Sequence, residues 1–149
     1  IAVHAFGKIT LFFAAGSIYT ASHKTEISQL DGIGRQMPWT MAAFTIGALS
    51  MIGVPPTAGF ISKWYILHGA FDSGHMLAVV VVVLSTLLNA GYFLPIIYTA
   101  YFKKEKYIGN GNHGEAPIAI VLALSITAAA TVLLFFFPGL FIELAQKLI

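Results

Sequence analysis

Three side chains in this sequence could move protons: His4, Lys8 and Lys63. Lys63 stands in the apolar run Thr57-Ala-Gly-Phe-Ile-Ser-Lys-Trp-Tyr-Ile-Leu67, with no acidic residue near it in sequence. A lysine at a bilayer centre costs about 2.5–3.5 kcal/mol on insertion scales. One kept there faces a bundle interior or a wet cavity and marks an ion or proton path. The other reading is a side chain that snorkels to the headgroups, because Pro55-Pro56 lie close by. Desolvation disfavours the charged form, so a buried lysine can release and retake a proton within a working pH range. Lys8 is the second cation well inside an apolar segment. His4 lies one helical turn before it, on the same face, and an imidazole can relay protons near neutrality. A hydrogen-bonded structural histidine is the equal alternative. All six acidic residues fall in loops or at segment ends.

Other chemistry finds little support. There is no Gly-rich phosphate loop, GxSxG elbow or HExxH helix. His4 and His23 are too far apart for a helical metal pair, and no carboxylate pair suits glycoside work. The chain has no cysteine. These features predict no catalytic residues, no metal site and no cofactor, and speak against soluble-type enzymology. The net charge of +2 is small and its basic residues are scattered, which does not suggest nucleic acid.

Composition sets the frame that must position the lysines. Of 149 residues, 58% are hydrophobic and 9% charged, against about 25% charged in soluble domains. This is an integral membrane protein, all-α, in the lipid bilayer. At about 20 residues per span, residues 1–149 allow one bundle of four to six helices. The first span is expected over Ile1–Ala21, with Gly7, Ala14, Ala15, Gly16 and Ser17 as small positions for close helix contact. A polar connection follows over Ser22–Pro38. Trp39–Val54 and Thr57–Phe71 are both short for a span, and Pro55-Pro56 stops the chain between them. With Gly59, this reads as a broken helix of the kind that exposes backbone and dipole ends at transporter sites. Two tilted helices in a thinned bilayer are the plainer alternative. Met76–Phe102 is a long fourth span that Pro95 should kink. Ser85 and Asn89 share one of its faces, and with Ser62 they could line a polar path or simply pack. Ala116–Phe137 is the last span, and Leu140–Ile149 reads as a short amphipathic tail.

Three lysines at 103–106 predict a cytoplasmic loop there. Five alternating segments would then put loop 22–38 and the C-terminus on the opposite side. The sequence opens inside an apolar run without Met, so it is expected to be part of a longer polypeptide.

His4-Ala-Phe-Gly-Lys8-Ile-Thr-Leu-Phe-Phe-Ala-Ala-Gly-Ser17 resembles a segment of antiporter-like, proton-translocating membrane subunits. Asp31-Gly-Ile-Gly-Arg-Gln-Met-Pro38 and Ile52-Gly-Val-Pro-Pro-Thr-Ala-Gly-Phe-Ile-Ser-Lys63 resemble the same family, in the same order. The family includes Mrp-type multisubunit sodium/proton antiporters and the antiporter-like subunits of NADH:quinone oxidoreductase (complex I). Lys24-Thr-Glu-Ile, Met37-Pro-Trp-Thr-Met and Ser62-Lys-Trp-Tyr look most like the D-type subunit of the Mrp antiporters. The resemblance implies the C-terminal third of a roughly fourteen-helix subunit in the bacterial cell membrane, holding one half of an inverted-repeat fold. It implies proton-translocating roles for Lys8 and Lys63, with His4 beside the path. It also implies partner subunits, protons and Na+ as cargo, and no cofactor. The alternative assembly is complex I or a related membrane-bound hydrogenase.

Overall fold

The computed structural model describes residues 2–104, 114–139 and 143. Among the described residues there are five α-helices: α1 Ala2–Ser22, α2 Pro38–Ile52, α3 Ala58–Asp72, α4 Met76–Phe102 and α5 Ile118–Phe136. No strand appears among the described residues. Residues 105–113 of the second connection and all of the expected tail from Leu140 except residue 143 lie outside them. Sequence explains the helix ends. Pro38 opens α2, where a missing N–H is harmless. Gly53 closes it in a left-handed conformation (φ 86°), its N–H returning to the Leu49 carbonyl at 2.8 Å. Helix α4 continues through Pro95 to its full 27 residues.

Small residues let α1, α2 and α5 approach closely. Helices α1 and α2 run antiparallel. Ser17 meets Thr40 at 3.3 Å between hydroxyls, both fully buried. Gly47 lies against Thr10 and Leu11, and Gly7 against Ser50. Helix α5 covers this pair through buried Ala14, Ala43, Leu124 and Ala128. Of the small positions expected on α1, Gly7, Ala14 and Ser17 are buried, whereas Ala15 and Gly16 are exposed.

The two polar connections meet at one end of the bundle. The Gly32 N–H donates to the Thr99 carbonyl at 3.0 Å, and Lys103 pairs with Asp31 at 3.6 Å. Glu115, just before α5, accepts from the Trp39 N–H, the Thr40 N–H and the Thr40 hydroxyl at 2.6, 3.4 and 2.7 Å. A carboxylate there satisfies orphan donors of α2 and complements its dipole.

This corrects the alternation expected from five separate spans. Helix α3 does not fold back along α2. Gly59 sits beside Ser50, Lys63 reaches Met51, Ile52 and Thr86, and Asp72 lies a short turn from the start of α4. Helices α2 and α3 therefore run in the same direction as one broken crossing, antiparallel to α4. At 1.5 Å per residue α4 is about 40 Å long, enough to cross roughly 30 Å of hydrocarbon alone. Lys24, Arg35, Lys103 and Lys104 consequently share one end, for which the positive-inside rule predicts the cytoplasmic side.

Single cysteines at Ser28, Ser73 and Lys104 of the full-length protein test this arrangement. A membrane-impermeant maleimide applied from outside should label Ser73→Cys in intact cells, and Ser28→Cys and Lys104→Cys only after lysis. Labelling of the latter two from opposite sides would refute the single broken crossing.

Candidate functional site

In an α-helix the carbonyl of residue i accepts from the N–H of residue i+4. For Met51 and Ile52 those donors would come from Pro55 and Pro56, which have none. The Pro-Pro pair thus ends α2 and also leaves two specific carbonyls open at its negative dipole end. The Lys63 ammonium fills that gap, donating to Met51 O at 3.1 Å and Ile52 O at 2.8 Å. Its third hydrogen bond goes to the Thr86 hydroxyl at 3.0 Å, and Thr86 in turn donates to Val82 O at 3.0 Å. Asn89 also donates to Met51 O, at 3.2 Å. Thr86 and Asn89 lie near the middle of α4, so the amine is directed into the bundle at mid-length rather than towards a headgroup.

Two glycines make the space. A Cβ on Gly59 would sit 1.8 Å from the Ser50 carbonyl oxygen, so α3 could not start there with any other residue. A Cβ on Gly53 would meet the Lys63 side chain at 2.7 Å, on a backbone already at positive φ.

The remaining expected residues fall as follows. Pro55, Pro56, Gly59, Lys63 and Asn89 come together at the break. Ser62 is half-buried on α3 beside them, and Ser85 is exposed. Thr86, not Ser85, accompanies Asn89 on the face towards the break, because i, i+3 positions align as well as i, i+4. His4, near the start of α1, lies within electrostatic reach of both Lys8 and Lys63. Lys8 lines a cavity of about 800 Å³ bounded by Phe12 on α1, Glu26 and Leu30 of the first connection, Phe44 on α2, and Tyr92 on α4. Sequence reading missed Thr86 and the Met51 and Ile52 carbonyls as partners. The signal was available in Pro55-Pro56, counted back four residues.

A helix bundle in which a lysine caps a proline-broken helix at mid-length defines a polytopic membrane subunit with a polar site inside it. The chain belongs to the family described as NADH:quinone oxidoreductase/Mrp antiporter, TM, which matches residues 1–89. It is 47% identical over 100 residues to NADH-quinone oxidoreductase subunit N of Desulforudis audaxviator, covering 67% of this chain and 20% of the relative. It is 34% identical over 143 residues to NADH-quinone oxidoreductase subunit L of Rickettsia bellii, covering 94% of this chain and 21% of the relative. The chain thus spans about a fifth of the length of these relatives. Its fold is similar to that in a structure of the Mrp complex from Dietzia sp. DQ12-45-1b (TM-score 0.83, 22% identity), covering 95% of this chain and 34% of that one. The antiporter-like family read from the two lysine motifs is therefore the family to which the chain belongs, and its relatives are subunits of multisubunit complexes.

Gly59→Ala should keep α3 from docking on α2 and lower the level of assembled subunit at least about tenfold, read by immunoblot of membranes. Gly16→Ala, with nothing within 4 Å of the added carbon, should assemble as wild type. Normal assembly of Gly59→Ala would contradict the close approach at the break.

Proposed function

We propose that this chain forms part of a proton path in an antiporter-like membrane subunit, with Lys8 and Lys63 as proton-exchanging groups. The observation that carries the reading is the Lys63 ammonium held at mid-bundle by the open carbonyls of a broken helix, with no acidic partner among its hydrogen bonds. Protons pass stepwise. His4, within reach of both lysines, and water in the cavity beside Lys8 link the two ends. Each charged state disfavours the next, because like charges in a low dielectric oppose simultaneous ionisation.

For the assembly, the proposed reading is a multisubunit monovalent cation/proton antiporter of the Mrp type, in which proton entry drives Na+ export. The Lys24–Ile27, Met37–Met41 and Ser62–Tyr65 segments and the similarity of fold support it. A second reading, a proton-pumping subunit of an NADH:quinone oxidoreductase, is favoured by the names of the curated relatives, at identities up to 47%. The path would be the same in both, and only its driving reaction would differ.

The test is proton movement in everted vesicles carrying the complete complex. Lys8→Ala and Lys63→Ala should each reduce it at least about a hundredfold at normal subunit levels, as expected for loss of an obligatory carrier. Transport unaffected by Lys63→Ala would remove it from the path. Na+-dependent exchange in the wild type supports the antiporter assembly, whereas NADH-driven pumping without a Na+ response supports the oxidoreductase.

A further inference from the structure

The three contacts of Lys63 are not equivalent. An ammonium has three N–H groups and here meets three acceptors: Met51 O, Ile52 O and the Thr86 hydroxyl oxygen. A neutral amine has two N–H groups and one lone pair, so one of the three neighbours must then become a donor. The two carbonyls cannot donate. The Thr86 hydroxyl can, because it carries both lone pairs and a proton that rotates about its C–O bond. In the charged state that proton points at Val82 O, at 3.0 Å. Val82 O also lies four residues before the Thr86 N–H in α4, so the helix ladder still serves it when the hydroxyl turns away.

We infer that Thr86 is the positioning residue for Lys63, its hydroxyl accepting from the ammonium and donating to the neutral amine, so that both protonation states stay hydrogen-bonded at the break. The inference rests on Lys63 being a proton carrier. In the step itself, one N–H bond of the ammonium breaks and its proton leaves on a water molecule. The freed electron pair turns to Thr86, and the Thr86 O–H rotates from Val82 O to Nζ. No proton is lost from Thr86. Asn89 keeps Met51 O paired throughout.

The titratable groups around Lys63 can be named element by element. Helices α2 and α5 carry none. Helix α1 brings His4, Lys8 and, further along, Tyr19; α4 has Tyr92, Tyr98 and Tyr101, and α3 itself has Tyr65, His68 and Asp72. A pH response specific to position 86 is therefore separable from these groups by substitution at Thr86 alone.

The experiment compares wild type, Thr86→Val and Thr86→Ser in the assembled complex, measuring vesicle proton movement against pH. Valine keeps the shape and removes the hydroxyl. The lost bond to the ammonium is charge-assisted and the stronger of the two, so its loss lets Lys63 deprotonate at lower pH. The limb of the profile set by Lys63 should move acidward by up to about one pH unit. The maximal rate should also fall at least about tenfold, because the neutral amine has lost its donor. Serine should restore both. A displaced profile at undiminished maximal rate would mean that the hydroxyl serves only the ammonium, and would overturn the inference. An undisplaced profile, or failure of serine to restore it, would reduce Thr86 to a packing residue and overturn it equally. Should Thr86→Val not reach wild-type subunit levels, Thr86→Ala is read in its place. Wild-type transport by Lys63→Ala would instead bring down the proton-path reading beneath.

Discussion

Everything at the centre of this bundle depends on one pairing, between a helix end deprived of its donors and a half-buried lysine. A buried carbonyl without a partner costs roughly 1–3 kcal/mol, and an unpaired buried ammonium far more. Pro55 and Pro56 create the first problem twice over, at Ile52 and Met51. Lys63 brings the second to the same place. Together they cancel, because the ammonium offers three donors where the helix dipole has its negative end. Each offsets part of the other's cost, and though they stand eight residues apart in sequence they meet in space.

Helix α2 is held at both ends by charged side chains from elsewhere in the chain. Glu115 takes the N–H groups of its first turn, and Lys63 takes the last carbonyls. Each charge is opposite in sign to the dipole end it meets. Between these ends Gly47, Ser50 and Thr40 face α1 across contacts too close for larger side chains. A rigid α2 is what fixes the position of the open carbonyls, and α4 then supplies Thr86 and Asn89 at the matching height.

Much of this was legible in the residues. The five segments, the Pro-Pro break and the isolated lysines follow from hydropathy and from proline's missing N–H, which are local properties. Met76–Phe102 was read to the residue because both ends carry clear polar signals. The direction of α3 was not legible. Two apolar segments joined by a short link read equally well as a hairpin or as a broken crossing, and the choice depends on Gly59 docking at Ser50, a contact between backbones. The choice of Thr86 over Ser85 failed for a related reason. Both lie within one turn of Asn89, and only the rotation of α4 against α2, set by packing at Phe44 and Phe93, selects between them. Glu115 was read as loop because an acid that caps a helix 75 residues away leaves no local trace.

The two lysines differ in what surrounds them, and the difference bears on how a path would be divided. Lys63 has a partner for each of its N–H groups and is held in one place. Lys8 is exposed on α1 and borders a cleft of about 800 Å³. Hydrogen bonds to an ammonium favour its charged form. On the proposed reading, the state-holding step belongs to Lys63. The break would then act as the point where a proton waits, because only there does the protein offer a set of fixed acceptors that matches an ammonium and a hydroxyl that can follow it when it becomes an amine.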